Sequence, residues 1–102
     1  MRSFNTRVEL HQANYQDYVN LHSYMAQEGY KTIIRGDNGA TYHLPTAEYN
    51  LVANCTIAHA LEKAQRAAQK TRKRFAAVVS EYTACSWVGL EQVQSRTHAR
   101  AY

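Results

Sequence analysis

The sequence predicts a mixed α+β fold in the order βαββαβ, and three patterns support this prediction. A segment near the N-terminus alternates apolar and polar residues, two longer segments carry apolar residues three and four positions apart, and an Asn-Gly turn separates two short β-prone stretches. The chain has 102 residues, of which 45% are hydrophobic and 20% are charged. This length and composition fit one globular domain with a core and exclude two domains.

The first strand is predicted from Phe4 to Leu10. The even-numbered residues of this segment are apolar or threonine, whereas the odd-numbered residues Asn5, Arg7 and Glu9 are polar or charged. Because successive side chains of a strand point to opposite faces, this alternation predicts one buried face and one solvent-exposed face.

An amphipathic helix is predicted after the first strand. Asn14 is a residue type favoured at the N-cap, and Gly29 is typical of the position just beyond a helix. The residues that define its apolar side recur at spacings of three and four: Tyr15, Tyr18, Leu21, His22 and Met25.

A β-hairpin is the sharpest local prediction. Asp37, Asn38 and Gly39 separate two short β-prone segments, and an Asn-Gly pair tolerates the positive φ angles of a tight turn. Pro45 should end the second arm, since proline cannot donate to a sheet. Residues 46–54 are then expected to be a connection with some extended structure.

The second helix is predicted to begin after Thr56, which is a good N-cap residue. Its apolar stripe consists of Ile57, Ala60, Leu61, Ala64, Ala67 and Ala68. A final strand over residues 74–84 combines a short apolar run with alternation, which favours a central and mostly buried strand. We therefore expect one domain over residues 1–88 and a polar, basic, frayed tail over residues 89–102.

This element order is that of the ferredoxin-like fold, a four-stranded antiparallel sheet with both helices on one face. The opposite face would be open to solvent or to a partner. Polar and net basic residues are expected on that face: Asn5, Arg7, Glu9, Lys31, Arg35, Thr41 and His43.

The charge of the chain indicates nucleic acid as a partner. Twelve Lys and Arg residues against eight Asp and Glu residues give a net charge of +4. Half of the cations form what we call the basic stretch: Lys63, Arg66, Lys70, Arg72, Lys73 and Arg74. We expect these residues, with Lys31 and Arg35, to bind a phosphate backbone. The alternative is a solvated helix end, where cations suit the helix dipole.

Tyrosine supplies eight of the eleven aromatic residues. Tyrosines on an open sheet face can stack RNA bases, so Tyr30, Tyr42, Tyr49 and Tyr82 are candidates for this role, with core packing as the alternative. The signature of a true RNA-recognition motif is absent.

Metal and cofactor sites are not expected. The five histidines lack metal-ligand spacing, Cys55 and Cys85 stand apart, and the sequence has no Gly-rich nucleotide-binding loop. No apolar run approaches the roughly 18 to 20 residues of a membrane span, and no signal peptide is evident. The expected compartment is the cytoplasm.

General acid–base chemistry is still possible without a metal. A metal-independent ribonuclease needs a base, an acid and a cation for the developing phosphorane charge. His43 beside Tyr42, with Arg7 on a neighbouring strand, would form such a catalytic set. The alternative for each histidine is an ordinary structural role.

The first half of the chain resembles the GhoS family, the endoribonuclease antitoxins of type V toxin–antitoxin systems. The similar residues occur on the first strand, the first helix and the hairpin: Phe4, Asn5, Thr6, Tyr18, Leu21, Met25, Ile34, Asp37, Gly39 and Leu44. The resemblance implies a ferredoxin-like fold and cleavage of the messenger RNA of a small membrane toxin. It also places His22 where the family carries a basic residue, which makes His22 a third catalytic candidate. The Ala-rich, basic second helix departs from the family.

The sequence thus predicts a small cytoplasmic protein that cleaves or binds single-stranded messenger RNA. The alternative is a non-catalytic regulator, phage or plasmid encoded, that binds nucleic acid or blocks a partner protein. A homodimer formed through the sheet edge is a further expectation.

Overall fold

A computed structural model describes residues 1–94 and confirms a mixed α+β fold. The elements are β1 (Arg2–Leu10), α1 (Tyr15–Gln27), β2 (Ile33–Arg35), β3 (Thr41–His43), β4 (Glu48–Ala53), α2 (Ile57–Gln69) and β5 (Phe75–Tyr82). The greater part of the expected tail, residues 95–102, lies outside the described residues.

The strands form two antiparallel sheets instead of the single four-stranded sheet that we expected. One sheet has the order β4-β1-β5, and the other is the β2–β3 hairpin. The segment that we expected to be a connection forms β4 and pairs with β1 from Arg7↔Glu48 to Arg2↔Ala53. Within residues 1–94, a backbone bridge connects the segment just before β2 to β4: each N–H of Lys31 and Asn50 donates to the other residue's carbonyl, at 2.8 and 2.7 Å.

The core lies between the three-stranded sheet and the two helices. Phe4, Thr6 and Val8 are completely buried, and Leu10 is nearly so, which confirms the alternation predicted for β1. Tyr49 on β4 is also completely buried on this side. The opposite face of β1 carries the polar residues between them.

The prediction that the last strand is central and mostly buried is wrong. Within residues 1–94, β5 pairs with β1 alone, and its residues alternate between half-buried and exposed. Val78 is 65% exposed. One face of the short Ala and Val run packs toward the helices, whereas the other face is exposed to solvent. The apolar composition of the run therefore predicted more burial than the strand has.

The predicted caps of both helices are confirmed. The Asn14 side chain accepts from the Asp17 N–H and the Asp17 carboxylate accepts from the Asn14 N–H, both at 2.9 Å, which is a capping box. Thr56 Oγ1 accepts from the His59 N–H at 3.1 Å. Gly29, just beyond α1, has a φ of +95°, a conformation that glycine adopts without strain.

Small residues let α2 pack closely on the sheet. The alanines of its predicted stripe, Ala60, Ala64, Ala67 and Ala68, are completely buried. Ile57 and Leu61, predicted in the same stripe, are instead 43% and 39% exposed because they lie at its margin.

A buried chain of hydroxyl groups fixes α2 to the sheet. Thr6 Oγ1 donates to the Tyr30 hydroxyl at 2.9 Å, and that hydroxyl donates to the Ala60 carbonyl at 2.8 Å. Burial raises the pKa of the Tyr30 phenol. Both buried hydroxyls are therefore satisfied, as a stable core requires.

After β5 the chain returns to the hairpin as a crossing segment, which we define as residues 83–93. The His43 N–H donates to the Glu91 carbonyl and the Val93 N–H donates to the Thr41 carbonyl, both at 2.8 Å. Residues 91–93, which belong to the expected tail, thus lie alongside β3.

Candidate nucleic-acid interface

A cleft of about 540 Å³ lies between the β2–β3 hairpin and the crossing segment. We call it the aromatic cleft, and it is lined by residues 34–38, Tyr42 and residues 82–87. Two smaller hollows lie nearby, of about 290 and 310 Å³. Clefts of this size accommodate small ligands or single nucleotides.

The hairpin turn orients one wall of the aromatic cleft. The Gly36 N–H donates to the Ala40 carbonyl at 2.7 Å, and the Ala40 N–H donates to Asn38 Oδ1 at 3.0 Å. The amide nitrogen of Asn38 then donates to the Tyr42 hydroxyl at 3.1 Å. The predicted turn residues therefore hold Tyr42 in place as well as reversing the chain.

Trp87 of the crossing segment packs against Tyr42. Their ring centroids are 5.4 Å apart and the ring planes are tilted by 58°. Gly36 makes this packing possible, since a Cβ at that position would lie 3.2 Å from Tyr42 and 3.3 Å from Trp87. Such contacts are tighter than most real Cβ contacts, so a Cβ at this position would require the neighbouring side chains to shift by a few tenths of an ångström.

Tyr82 forms the opposite wall at the end of β5. Its hydroxyl accepts a short hydrogen bond from the side-chain amide of Asn50, whose nitrogen also donates to the Phe4 carbonyl at 3.3 Å. The buried amide thereby links β4 and β1 to the cleft. Tyr82 is only partly buried, which leaves part of its ring accessible.

The cleft has a cation at its edge. Arg35 is exposed, lines the cleft, and has no ion-pair partner among residues 1–94. Arg35 also lines a second hollow of about 290 Å³ beside Lys31, Thr41 and Asn50. Lys31 and Arg35, both predicted to bind nucleic acid, thus lie on the same side of the hairpin.

The basic stretch is partly neutralised by the fold. Arg66 forms two hydrogen bonds with Glu28, at 2.9 and 3.2 Å, and lies 3.8 Å from Glu62. The Arg66 hydrogen bond lowers the pKa of the Glu28 carboxyl. Lys73 lies 3.7 Å from Asp17.

Other cations of the basic stretch have different surroundings. Lys70 donates to the side chain of Gln27 at 3.3 Å and lies 5.8 Å from the ring centre of Tyr24. Lys63, Arg72 and Arg74 form no ion pair within residues 1–94. Of the six predicted cations, those without an acidic partner are thus Lys63 and Lys70 at α2 and Arg72 and Arg74 in the turn before β5, within the described residues.

His22 lies on the helix side of the three-stranded sheet. Its Nδ1 is 2.6 Å from the hydroxyl of buried Tyr49, and the two rings meet edge to face at 5.5 Å. Burial lowers the pKa of His22 and raises that of Tyr49. Because burial favours the neutral imidazole, this half-buried setting fits a packing role for His22.

Arg7 and His43 lie elsewhere. Arg7 is on the opposite face of β1 from the core and is 3.5 Å from Glu48. His43 is exposed at the end of β3. Because strand alternation places Arg7 and the His22–Tyr49 pair on opposite faces, the structure does not bring the three predicted catalytic residues together.

The sequence indicated Tyr42, Tyr82, Lys31 and Arg35 but gave no role to Trp87. The signal that could have indicated it is that Trp87 is the single tryptophan of the chain, placed between the predicted last strand and the predicted tail. Its contact with Tyr42 depends on backbone pairing across some fifty residues of sequence, which no local pattern encodes.

The described residues contain no group of three or more His, Cys, Asp and Glu side chains that could hold a metal ion. Within residues 1–94, neither helix is long and apolar enough to cross a membrane. No protein-family model matches this chain, and no curated protein matches it.

Proposed function

We propose that this protein binds single-stranded RNA and that the aromatic cleft is the binding site. The observation that carries the proposal is the Tyr42–Trp87 pair with Arg35 at the same cleft. Base stacking on aromatic rings contributes about 1–3 kcal/mol per base, and a nearby guanidinium attracts the phosphate.

Single-stranded RNA is favoured over a duplex by the shape of the site. A cleft of about 540 Å³ between a hairpin and a crossing segment admits an unstacked base and not a helix. The free cations Arg72 and Arg74 supply attraction at longer range. The resemblance to the GhoS antitoxins gives messenger RNA as the proposed natural ligand.

A ferredoxin-like arrangement is part of the same proposal. The Lys31–Asn50 bridge supports it, because it sets the first arm of the hairpin next to β4 and extends the order to β5-β1-β4-β2. In this arrangement both helices lie on one face.

Cleavage of the bound RNA is the second candidate function, proposed on the resemblance. Arg7 and His43 are accessible, whereas His22 is engaged with Tyr49. The geometry therefore supports binding better than catalysis.

Fluorescence anisotropy with a labelled single-stranded RNA of about 12 nucleotides, a length within the range of known binding sites, tests the binding proposal. Trp87→Ala should weaken binding roughly 5- to 100-fold, and Trp87→Phe should retain most of the affinity. Tyr15→Ala is the matched control, because Tyr15 is a tyrosine on α1 that is 84% exposed and lies outside the cleft. Equal affinity of Trp87→Ala and the wild type would contradict the proposal.

A gel assay of the same RNA separates binding from cleavage. The wild type, His43→Ala, Arg7→Ala and His22→Ala are incubated with the RNA, with and without EDTA. Intact RNA in every lane supports a binding protein. Cleavage that is lost in His43→Ala or Arg7→Ala would instead support the ribonuclease.

A further inference from the structure

One edge of β5 has no strand partner in the described part of the chain. Within residues 1–94, β5 pairs with β1 on one side, and its other side has no strand partner. Residues 75–80 contain no charge, proline or glycine, and Val78 is 65% exposed. The one charged residue of β5, Glu81, lies near its end and is paired with Arg2 of the neighbouring β1 at 2.8 Å. Edge strands of monomeric proteins are normally blocked by such residues, so an unblocked apolar edge indicates a pairing partner.

The sequence of β5 is complementary to itself in one antiparallel register. In a continuous sheet, directly opposed residues of neighbouring strands point to the same face. A two-fold axis beside Val78 therefore places Val78 opposite Val78 of a second copy of the chain. The same register opposes Ala76 to Ser80 and Arg74 to Tyr82. Small side chains then flank the axis, and no like charges face each other.

The exposed side of α2 extends this surface above the sheet. Arg66 and Lys70 contact Glu28 and Gln27, so that side of α2 faces α1. Ile57 and Leu61 lie on the other side of the helix, which faces away from α1 and toward the β5 edge. Their exposure of 43% and 39% would fall when a second copy extends the sheet.

We propose that the protein forms a homodimer by antiparallel β5–β5 pairing and that each copy supplies Arg74 to the aromatic cleft of the other. Arg74 is exposed, directly precedes β5, and has no ion-pair partner among residues 1–94. Its carbonyl accepts from the His11 N–H at 2.8 Å, which continues the sheet to this position. Tyr82 lines the cleft. The second part of the proposal rests on the proposed RNA function.

Cysteine cross-linking tests the register. In a Cys55→Ala, Cys85→Ser background, oxidised Val78→Cys should run as a covalent dimer, since opposed residues in antiparallel strands are about 4.5–5.5 Å apart at Cα. Ala76→Cys and Ser80→Cys should each remain monomeric alone and cross-link when mixed. Val52→Cys is the control, because Val52 is 55% exposed on β4. Cross-linking of Val52→Cys to the same extent, or none at Val78→Cys, would overturn the pairing.

Light scattering tests the dimer without cysteine. The wild type should have twice the chain mass of 11.7 kDa, and Val78→Lys should be monomeric, because two ammonium groups would meet at the axis. Val52→Lys should remain dimeric. Circular dichroism checks that both variants are folded, and a wild type that stays monomeric would overturn the proposal.

Mixing two RNA-binding variants tests the contribution of Arg74. Arg74→Ala and Trp87→Ala are each expected to bind RNA weakly. A mixture should regain wild-type affinity in about a quarter of the clefts, since half of the dimers are mixed and each has one intact cleft. A confirmed dimer with no regain would overturn the shared cleft alone. A wild-type dimer that binds no RNA would overturn the proposed function and leave the pairing standing.

Discussion

The aromatic cleft and the basic stretch differ in how the fold treats their charged groups. In the basic stretch, Arg66 is paired with Glu28, which directly follows α1, and Lys73 is paired with Asp17 of α1. These pairs connect α2 and the turn after it to α1. At the cleft, Arg35 has no such partner in the described residues. A dense run of cations in a sequence therefore overestimates the charge available to bind nucleic acid when neighbouring elements carry acids that pair with those cations.

Apart from the loss of Trp87 itself, the largest effect should come from filling the space beside the Tyr42–Trp87 pair. Gly36→Val adds side-chain atoms where a Cβ would already lie 3.2–3.3 Å from Tyr42 and Trp87. RNA affinity should fall about tenfold, as for the loss of one stacked base. Tyr15→Ala, which lies outside the cleft, is the control.

Urea unfolding of Gly36→Val and of the wild type distinguishes a local displacement of the aromatic pair from a loss of stability of the whole domain. Gly36→Val should leave the unfolding midpoint of the core nearly unchanged while RNA affinity falls. A parallel loss of stability and affinity would count against the cleft as a separate site.

Charge reversal within the basic stretch should have a smaller effect that depends on which cations are free. Lys63→Glu with Arg72→Glu should reduce RNA affinity severalfold and lower the slope of log K against log salt by about 0.7 per lost phosphate contact. Arg66→Glu with Lys73→Glu makes the same change in net charge but removes cations that are already paired. Titrations at several salt concentrations measure both, and equal slopes would refute the distinction between free and paired cations.

Removing the acidic partner of a paired cation should increase RNA affinity. Glu28→Gln removes the carboxylate that holds Arg66, so RNA affinity should rise about twofold at low salt. Glu62→Gln is the control, since Glu62 lies farther from Arg66, at 3.8 Å.

The Glu28 variant also changes the response to acid. Because the pKa of Glu28 is lowered in the folded protein, its ion pair stabilises the fold above the unfolded value, and this stability is lost as the pH falls through the folded pKa. Urea midpoints between pH 7 and 3 should therefore fall less for Glu28→Gln than for the wild type. An unchanged pH profile would argue against the ion pair.

The smallest expected effect on RNA affinity is at His22. Burial lowers its pKa, so the folded state favours the neutral imidazole, and the stability present above about pH 6.5 is lost as the pH falls toward the folded pKa. His22→Gln should remove this loss between pH 7 and 5 and leave RNA affinity unchanged. Loss of RNA affinity or of RNA cleavage in His22→Gln at pH 7 would contradict a packing role.

Much of the fold could be predicted because its signals are local. Asn14 and Thr56 cap the predicted helices, and the turn at Asp37 to Gly39 reverses the chain between β2 and β3. The segment of β4 was expected to be a connection with some extended structure and not a paired strand, since its partner β1 is more than forty residues away. Sheet membership and edge position depend on such distant pairings, which a residue pattern does not determine.

The candidate site was predictable in part for the same reason. Lys31, Arg35 and Tyr42 belong to the hairpin, and their types already favour nucleic-acid contacts. Trp87 reaches the cleft only because Glu91 and Val93 are hydrogen-bonded to β3. The paired state of Arg66 likewise depends on Glu28, an acid on the other helix.

The contact between Trp87 and Tyr42 gives the protein an intrinsic optical reporter. Trp87 is the single tryptophan of the chain, and it lies on the crossing segment, outside the core. Its emission therefore follows detachment of that segment from the hairpin, whereas far-ultraviolet circular dichroism follows the helices. Monitoring both during unfolding would show whether the crossing segment opens before the core, which would give the cleft its own local stability.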